Sequence, residues 1–290
     1  MIKKLLLFVD FLFCQKINKP KSYKVFGLLQ FLFLLFFTGI GNAQVANYAF
    51  TQTSGTYTTI TGTSGVQTMF SNGWDDTVGA NVNLGFSFTF NGVTYTQCSI
   101  NTNGFVTFSS SSSTIYSNGN EYSPISSTTG YSGAISALGR DLISNGSSIT
   151  YNTIGTAPNR TFVAQWTNAR RYYNSSSRSG DFNFQIRLNE TTNEVQIVYG
   201  ACTSSYNTDI TVQVGLRGAS NADFNNRTTS NNWPASTAGG ANSNTCNTGN
   251  GSGELPTNGL TYTWTPSVCS FTNFTTVRQI TNVKLNTIDN

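Results

Sequence analysis

Residues 82–90 alternate with period two: Val82, Leu84, Phe86, Phe88 and Phe90 share one parity, and Asn83, Gly85, Ser87 and Thr89 lie between them. Successive side chains of an extended strand point to opposite faces, so this spacing puts five large apolar groups on one side of a sheet. At the 3.6-residue period of a helix the same five would be spread around the cylinder and could not be buried together. Asn91-Gly92 follows, and Val93 and Tyr95 lead back. Asn-Gly supplies the two positive φ angles of a type I′ turn, so the segment predicts a β-hairpin with one buried face.

The pattern recurs along the chain. Ile149 and Tyr151 make one short run, and Phe162, Ala164 and Trp166 another. Phe182, Phe184, Ile186 and Leu188 precede a turn at Glu190–Asn193, and Val195, Ile197 and Tyr199 return from it. Ile210, Val212, Val214 and Leu216 follow, and Leu260, Tyr262 and Trp264 close the series. No segment of useful length carries apolar residues at helical spacing. Strands with one apolar face must cover each other, which predicts an all-β fold, an antiparallel β-sandwich of jelly-roll type. In "CSINTNGFVTFSS" (98–110), Asn103-Gly104 is expected to turn between neighbouring strands, with Ile100 and either Phe105 or Val106 packed inward.

Residues 1–43 do not fit this pattern. Six lysines and one acid precede a thirteen-residue stretch from Val25 to Phe37 that is apolar apart from Gly27 and Gln30, and Gly41-Asn42-Ala43 follows. That is the layout of a secretory signal, and the apolar run is shorter than the roughly 20 residues that span a bilayer. The expected organisation is a leader over 1–43, a sandwich over 44–266, and a tail over 267–290 that could begin a further domain. Once the leader is cleaved no membrane span is expected. The alternative is an uncleaved anchor.

The leader also holds the basic charge. Removing it leaves ten Lys and Arg against eleven Asp and Glu, turning a net charge of +4 into about −1. Nothing in that balance calls for a nucleic-acid partner. Four cysteines remain, Cys98, Cys202, Cys246 and Cys269, and in an oxidising compartment they allow three pairings. A Cys202–Cys246 bridge is the one favoured, because it would tether the long Asn/Gly-rich stretch ending near Gly253.

The chemistry the chain excludes is as informative. It contains no histidine, which removes Ser-His-Asp and Cys-His catalysis and histidine-ligated metals together. No phosphate-binding glycine loop appears. A carboxylate pair of the kind glycoside hydrolases use is the remaining enzymatic option, and no two acids stand out for it. Asp75-Asp76 in "NGWDDTVGA" and Asp141 in "SALGRDLIS" lie in turns beside strands. Oxygen-rich loops of that kind can hold calcium, which takes six to eight oxygen ligands, or can be ordinary solvated turns. "RRYYNSSSRSG" contributes Arg170, Arg171, Tyr172, Tyr173 and Arg178. These either form a stacking and hydrogen-bonding surface for a glycan or partner chain, or make a hairpin tip that covers a sheet edge. Residues 221–259 form a third loop region, functional or disordered at that length, in which Trp233 is a further candidate contact.

Taken in order, "CSINTNGFVTFSS", "GAISALGRDLIS", "ITYNTIGTAPNRTFVAQWTNARRY", "FNFQIRLNETTNEVQIVYG" and "GLTYTWTP" resemble a known module over roughly residues 47–266. They are similar to the β-sandwich at the N-termini of large Bacteroidetes surface proteins, often exported by type IX secretion and followed by fibronectin type III repeats. They are similar also to the extracellular nidogen-type domain. The resemblance implies a secreted or cell-surface, non-enzymatic module for adhesion or for binding a glycan or an extracellular protein, and it carries over no catalytic residue. A carboxylate-dependent glycan hydrolase and a passive spacer in a longer surface protein are the alternatives. No cofactor is expected beyond calcium.

Overall fold

The computed structural model describes residues 44–109, 122–128, 131–172, 180–205, 210–249 and 253–267. The chain divides into two units, Met1–Asn42 and Ala43–Asn290, and all described residues fall in the second. The leader expected over 1–43 lies outside them. No helix among the described residues is long and apolar enough to cross a membrane.

The strands in chain order begin with β1 (Ala49–Ser54), β2 (Gln67–Phe70), β3 (Val78–Phe90), β4 (Val93–Asn101), β5 (Phe105–Thr107) and β6 (Ala134–Gly139). Next come β7 (Leu142–Ser144), β8 (Ile149–Ile154), β9 (Thr161–Arg171), β10 (Phe182–Asn189) and β11 (Val195–Tyr199). β12 (Thr211–Arg217), β13 (Phe224–Thr228), β14 (Thr237–Ala238), β15 (Cys246–Asn247) and β16 (Leu260–Thr265) complete the fold. Two eight-stranded sheets result. One runs β1-β16-β11-β10-β9-β8-β2 with β7 against β9, and the other runs β14-β13-β12-β6-β5-β4-β3 with β15 against β12. Every pairing between these strands is antiparallel. The fold is an antiparallel β-sandwich.

The core is the one the alternation predicts. Val82, Leu84, Phe86, Phe88 and Phe90 are all buried, and they share one cluster with Phe162, Trp166, Phe184, Ile186, Ile197, Val214, Tyr262 and Trp264. Asn91 and Gly92 take φ values of 51° and 75°, as the type I′ turn requires. The second predicted turn occurs as Asn189–Glu194, with Asn193 at φ 53°. At the other hairpin Asn101 pairs with Phe105 across a three-residue loop, Thr102-Asn103-Gly104. Ile100 and Val106 join the main core, while Phe105 faces the opposite side against Tyr131. A side chain at Gly104 (φ 82°) would run into the carbonyl of Leu138.

The outer faces depart from the half-exposed sheets the sequence suggests. Gln165 and Gln185 lie on the outward parity of β9 and β10, yet neither has any exposed surface. The β1–β2 connection lies over them. Gln165 Oε1 accepts from the Ile60 amide at 2.9 Å, and Gln185 Nε2 donates to the Thr58 carbonyl at 2.8 Å. Gln213 on β12 does the same in the other sheet, accepting from the Ile125 amide at 2.8 Å. Residues 221–259 contribute β13, β14, β15 and a 3-10 turn at Trp233–Ala235. Asn225 Nδ2 donates to the Tyr48 carbonyl (2.9 Å), and Asn225 Oδ1 accepts from Trp264 Nε1 (3.0 Å).

The edge at β3 is stitched to the facing sheet. Its ladder with β4 slips between Asn83 and Phe88, a bulge that leaves backbone carbonyls unpaired. Thr153 of β8 donates to the Leu84 carbonyl at 2.8 Å, and Arg160 Nη1 donates to the Gly85 carbonyl at 2.7 Å. Arg160 is itself fixed by Glu190, with Nε on Oε2 at 2.8 Å and Nη2 on Oε1 at 2.6 Å. The hydrogen bond from Arg160 holds the Glu190 carboxyl below its ordinary value. A depressed carboxylate stabilises the fold above its unfolded pKa, and that contribution disappears as pH falls through the folded value. Glu190→Gln should therefore lower the midpoint of thermal unfolding at neutral pH, and the gap to the parent chain should close as pH falls through the carboxylate range.

Candidate functional site

Three of the predicted acids meet. Asp75 and Asp76 lie between β2 and β3, and Asp141 lies between β6 and β7. One carboxylate oxygen from each falls within 4.8 Å of the others. The loop carrying the first pair is pinned to β7 and the turn after it. The Ser144 amide donates to the Trp74 carbonyl (2.9 Å), and Trp74 Nε1 donates to the Ser147 carbonyl (3.0 Å). Asp76 takes φ 21°, an uncommon value for a residue other than glycine.

Asn103 holds the cluster together. It has no exposed surface, and its Nδ2 donates to Asp76 Oδ1 at 3.0 Å. Its Oδ1 accepts from the Leu142 amide at 2.8 Å, beside Asp141, and its own amide donates to Asn101 Oδ1 at 2.8 Å. Tyr122 donates a further hydrogen bond to Asp76 Oδ2 at 3.2 Å. Sequence reading treats the Asn103-Gly104 turn as architecture alone. The fold makes it the bridge between two acid-bearing loops. Asparagine before glycine signals a turn whichever way its side chain points, so the sequence carried no sign of this second role.

Desolvation and the neighbouring Asp76 carboxylate push the Asp75 carboxyl above its ordinary value. Like charges at this separation repel, and a bound cation would relieve them. The described residues offer three carboxylates there, the hard oxygen chemistry that calcium takes.

The arginine-tyrosine segment reaches the same end of the sandwich. β7 pairs with the end of β9, placing Ile143 opposite Arg170 and Leu142 opposite Arg171. The Tyr172 amide then donates to the Asp141 carbonyl at 2.9 Å. Arg170 is half-buried, and Tyr172 is 50% exposed. Tyr173 and Arg178 lie outside the described residues.

Two expected contacts are corrected. Arg171 points inward and is 1% exposed. Its guanidinium donates to Thr248 Oγ1 at 3.1 Å and sits 5.8 Å from the centre of the Phe182 ring. The cause is strand parity, since adjacent Arg170 and Arg171 must face opposite sides of β9. Trp233 has no exposed surface. Its Nε1 donates to the carbonyls of Asn247 (2.9 Å) and Glu254 (3.1 Å), and its ring meets Tyr199 edge-on at 5.3 Å. It anchors the 221–259 region to the core because an indole can bury its ring once its one N–H is satisfied. The expected Cys202–Cys246 bridge is also absent, for both are free thiols. Cys246 Sγ donates to the Arg227 carbonyl at 3.5 Å, and Cys202 Sγ lies 3.6 Å from the Gly200 carbonyl. β12–β15 pairing and Trp233 already tether the loop that the bridge was expected to hold.

Truncating Asn103 leaves the buried Leu142 amide without its partner, a loss of about 1–3 kcal/mol, whereas the Asp76 oxygen is only partly buried and can turn to water. Asn103→Ala should shift the denaturant midpoint down by an amount worth about 1–3 kcal/mol, the cost of that one buried group. Asn101→Ala should do less, since it removes only the bond to the Asn103 amide.

Comparison with known proteins bears on residues 47–266, where the chain matches the family described as NIDO related. That interval begins two residues before β1 and ends one residue after β16, so it takes in both sheets and the acid-bearing end. No curated protein and no solved structure matched the chain. With three quarters of its length covered, this chain belongs to the nidogen-related domain family.

Proposed function

We propose that the chain is an extracellular, non-catalytic binding module, and that its contact face is the end of the sandwich carrying Asp75, Asp76, Asp141, Arg170 and Tyr172. Calcium bound by the three acids would order that face, and the partner would be an extracellular protein or glycan. The observation that carries the reading is the meeting of three acids from two distant loops within 4.8 Å, beside the one arginine-tyrosine segment of the chain. Membership of the nidogen-related family and a leader of secretory layout support action outside the cell. The absence of histidine favours binding over hydrolysis. Display at a bacterial surface through type IX export, in a longer adhesin, fits the same features and forms part of the proposal. Function in this fold sits on loops at the sandwich ends, which a rigid pair of sheets can position.

Calcium gives the direct test. A ligand at about ten times its Kd stabilises a fold by about 1.4 kcal/mol, or about 3–6 °C in a domain of this size. Titration of the purified mature chain with calcium should raise its unfolding temperature by that order. Asp76→Asn and Asp141→Asn should abolish the rise. Without calcium the sign is opposite for Asp75. Its carboxyl is raised, so the stability it contributes is lost as pH climbs through the folded value. Asp75→Asn should therefore unfold at a slightly higher temperature than the parent at neutral pH in chelator. No calcium shift in the parent, or an equal shift in all variants, contradicts the reading.

A further inference from the structure

The geometry points to a second binding site, a pocket on β3 and β4 that takes a neutral sugar unit. The two strands separate where their register slips, between the Asn83–Gln97 and Phe88–Tyr95 pairs. A pocket of about 240 Å³ opens along residues 94–99 of β4, with Asn81, Phe108 and Ser109 completing its lining. That is below the roughly 300–1,000 Å³ of sites for drug-sized ligands, so its occupant is small.

The lining fixes the chemical class. Among the described residues no Asp, Glu, Lys or Arg lines it, which disfavours phosphates, metal ions, acidic sugars and charged peptides. Tyr95 and Phe108 stack at 4.5 Å and supply an apolar wall. Around that wall stand side chains that both donate and accept. Asn81, Thr96 and Gln97 are exposed and make no side-chain hydrogen bond among the described residues, while Thr94 shares one with Thr89 at 3.1 Å. Ser99 and Ser109 are not counted, since their hydroxyls are engaged with the Ser109 carbonyl (2.7 Å) and the Ser132 amide (2.8 Å). An aromatic wall edged by neutral amides and hydroxyls matches a sugar ring, whose C–H face is apolar and whose rim alternates hydroxyl donors and acceptors.

The local backbone is shaped for this arrangement. Asn81 is held at φ 59°, in the left-handed region, where the ladder slips again between Gly79 and Val82. Bulges re-aim side chains and recur beside functional sites. The pocket is also distinct from the acid-bearing end. Gln97 is set apart from that end by the last four residues of β4, roughly 13 Å of strand, and by the turn that carries Asn103. The inference therefore stands without calcium and without the reading above.

The test is saturation-transfer NMR on the mature chain with methyl glycosides of glucose, galactose, mannose and N-acetylglucosamine, followed by titration of whichever binds. At least one neutral glycoside should bind in chelator. Gln97→Ala and Thr96→Ala, both at exposed positions, should weaken it about tenfold or more, which is 1.4 kcal/mol, while the unfolding temperature stays that of the parent. Thr96→Arg should block the pocket outright. Asp76→Asn should leave sugar binding intact. The inference is overturned if no glycoside in the panel binds, if binding is indifferent to all three pocket variants, or if a sialylated or sulfated sugar binds in strong preference to its neutral parent. Sugar binding that needs calcium and falls with Asp76→Asn assigns the sugar to the acid-bearing end and refutes the pocket alone.

Discussion

A connection that lies flat on a sheet must find partners for backbone N–H and C=O groups that no strand supplies, and in this chain buried side-chain amides supply them. Gln165 and Gln185 receive the 58–61 segment, Gln213 receives Ile125 and Ser126, and Asn103 receives Leu142. An amide donates and accepts at once without carrying charge, so it can be buried at far lower cost than a carboxylate or an ammonium. The scarcity of charged residues, 10% of the chain, and its wealth of Asn, Gln, Ser and Thr are thus structural. They let loops cover the outer faces of a sandwich in which no α-helix occurs among the described residues.

The inner half of this arrangement was legible in the sequence. Period-two spacing from Val82 to Phe90 and from Phe182 to Leu188 identified core strands, and Asn91-Gly92 identified its turn, because steric rules tie those patterns to local geometry. The outer half was not. Gln165 and Gln185 look like solvent-facing residues of half-exposed strands, and a loop more than a hundred residues removed in sequence buries them. Arg171 and Trp233 misled for the same reason. A long polar or aromatic side chain in a loop-rich stretch reads as a contact residue, and whether it turns inward depends on partners such as Thr248 and Asn247 that sequence spacing does not disclose. The disulfide expectation failed because it assumed a loose loop. Strand pairing and an indole had already fixed it.

The candidate site shows the same division. Its acids could be named individually, since turns rich in oxygen are recognisable. Their convergence could not, because it requires the β4–β5 turn to reach between two other loops through Asn103. The register slip that opens the β3–β4 pocket was equally hidden, since the alternation of β3 continues through the bulge without a break. The pocket sits where a ladder is interrupted, and the acid cluster where two inter-strand loops meet. Regular strands supply the rigidity, and departures from them supply surfaces with distinct chemistry.

Amide hydrogen exchange resolved by residue puts the role of the buried amides to the most direct test. The backbone amides of Ile60 and Ile125 belong to irregular segments and that of Leu142 opens the short strand β7, and each donates to a buried side-chain oxygen at 2.8–2.9 Å. If the amides of Gln165, Gln213 and Asn103 fix these segments, the three N–H groups exchange as slowly as those of the strands beneath them. Exchange at the rate of an unstructured chain would contradict the account.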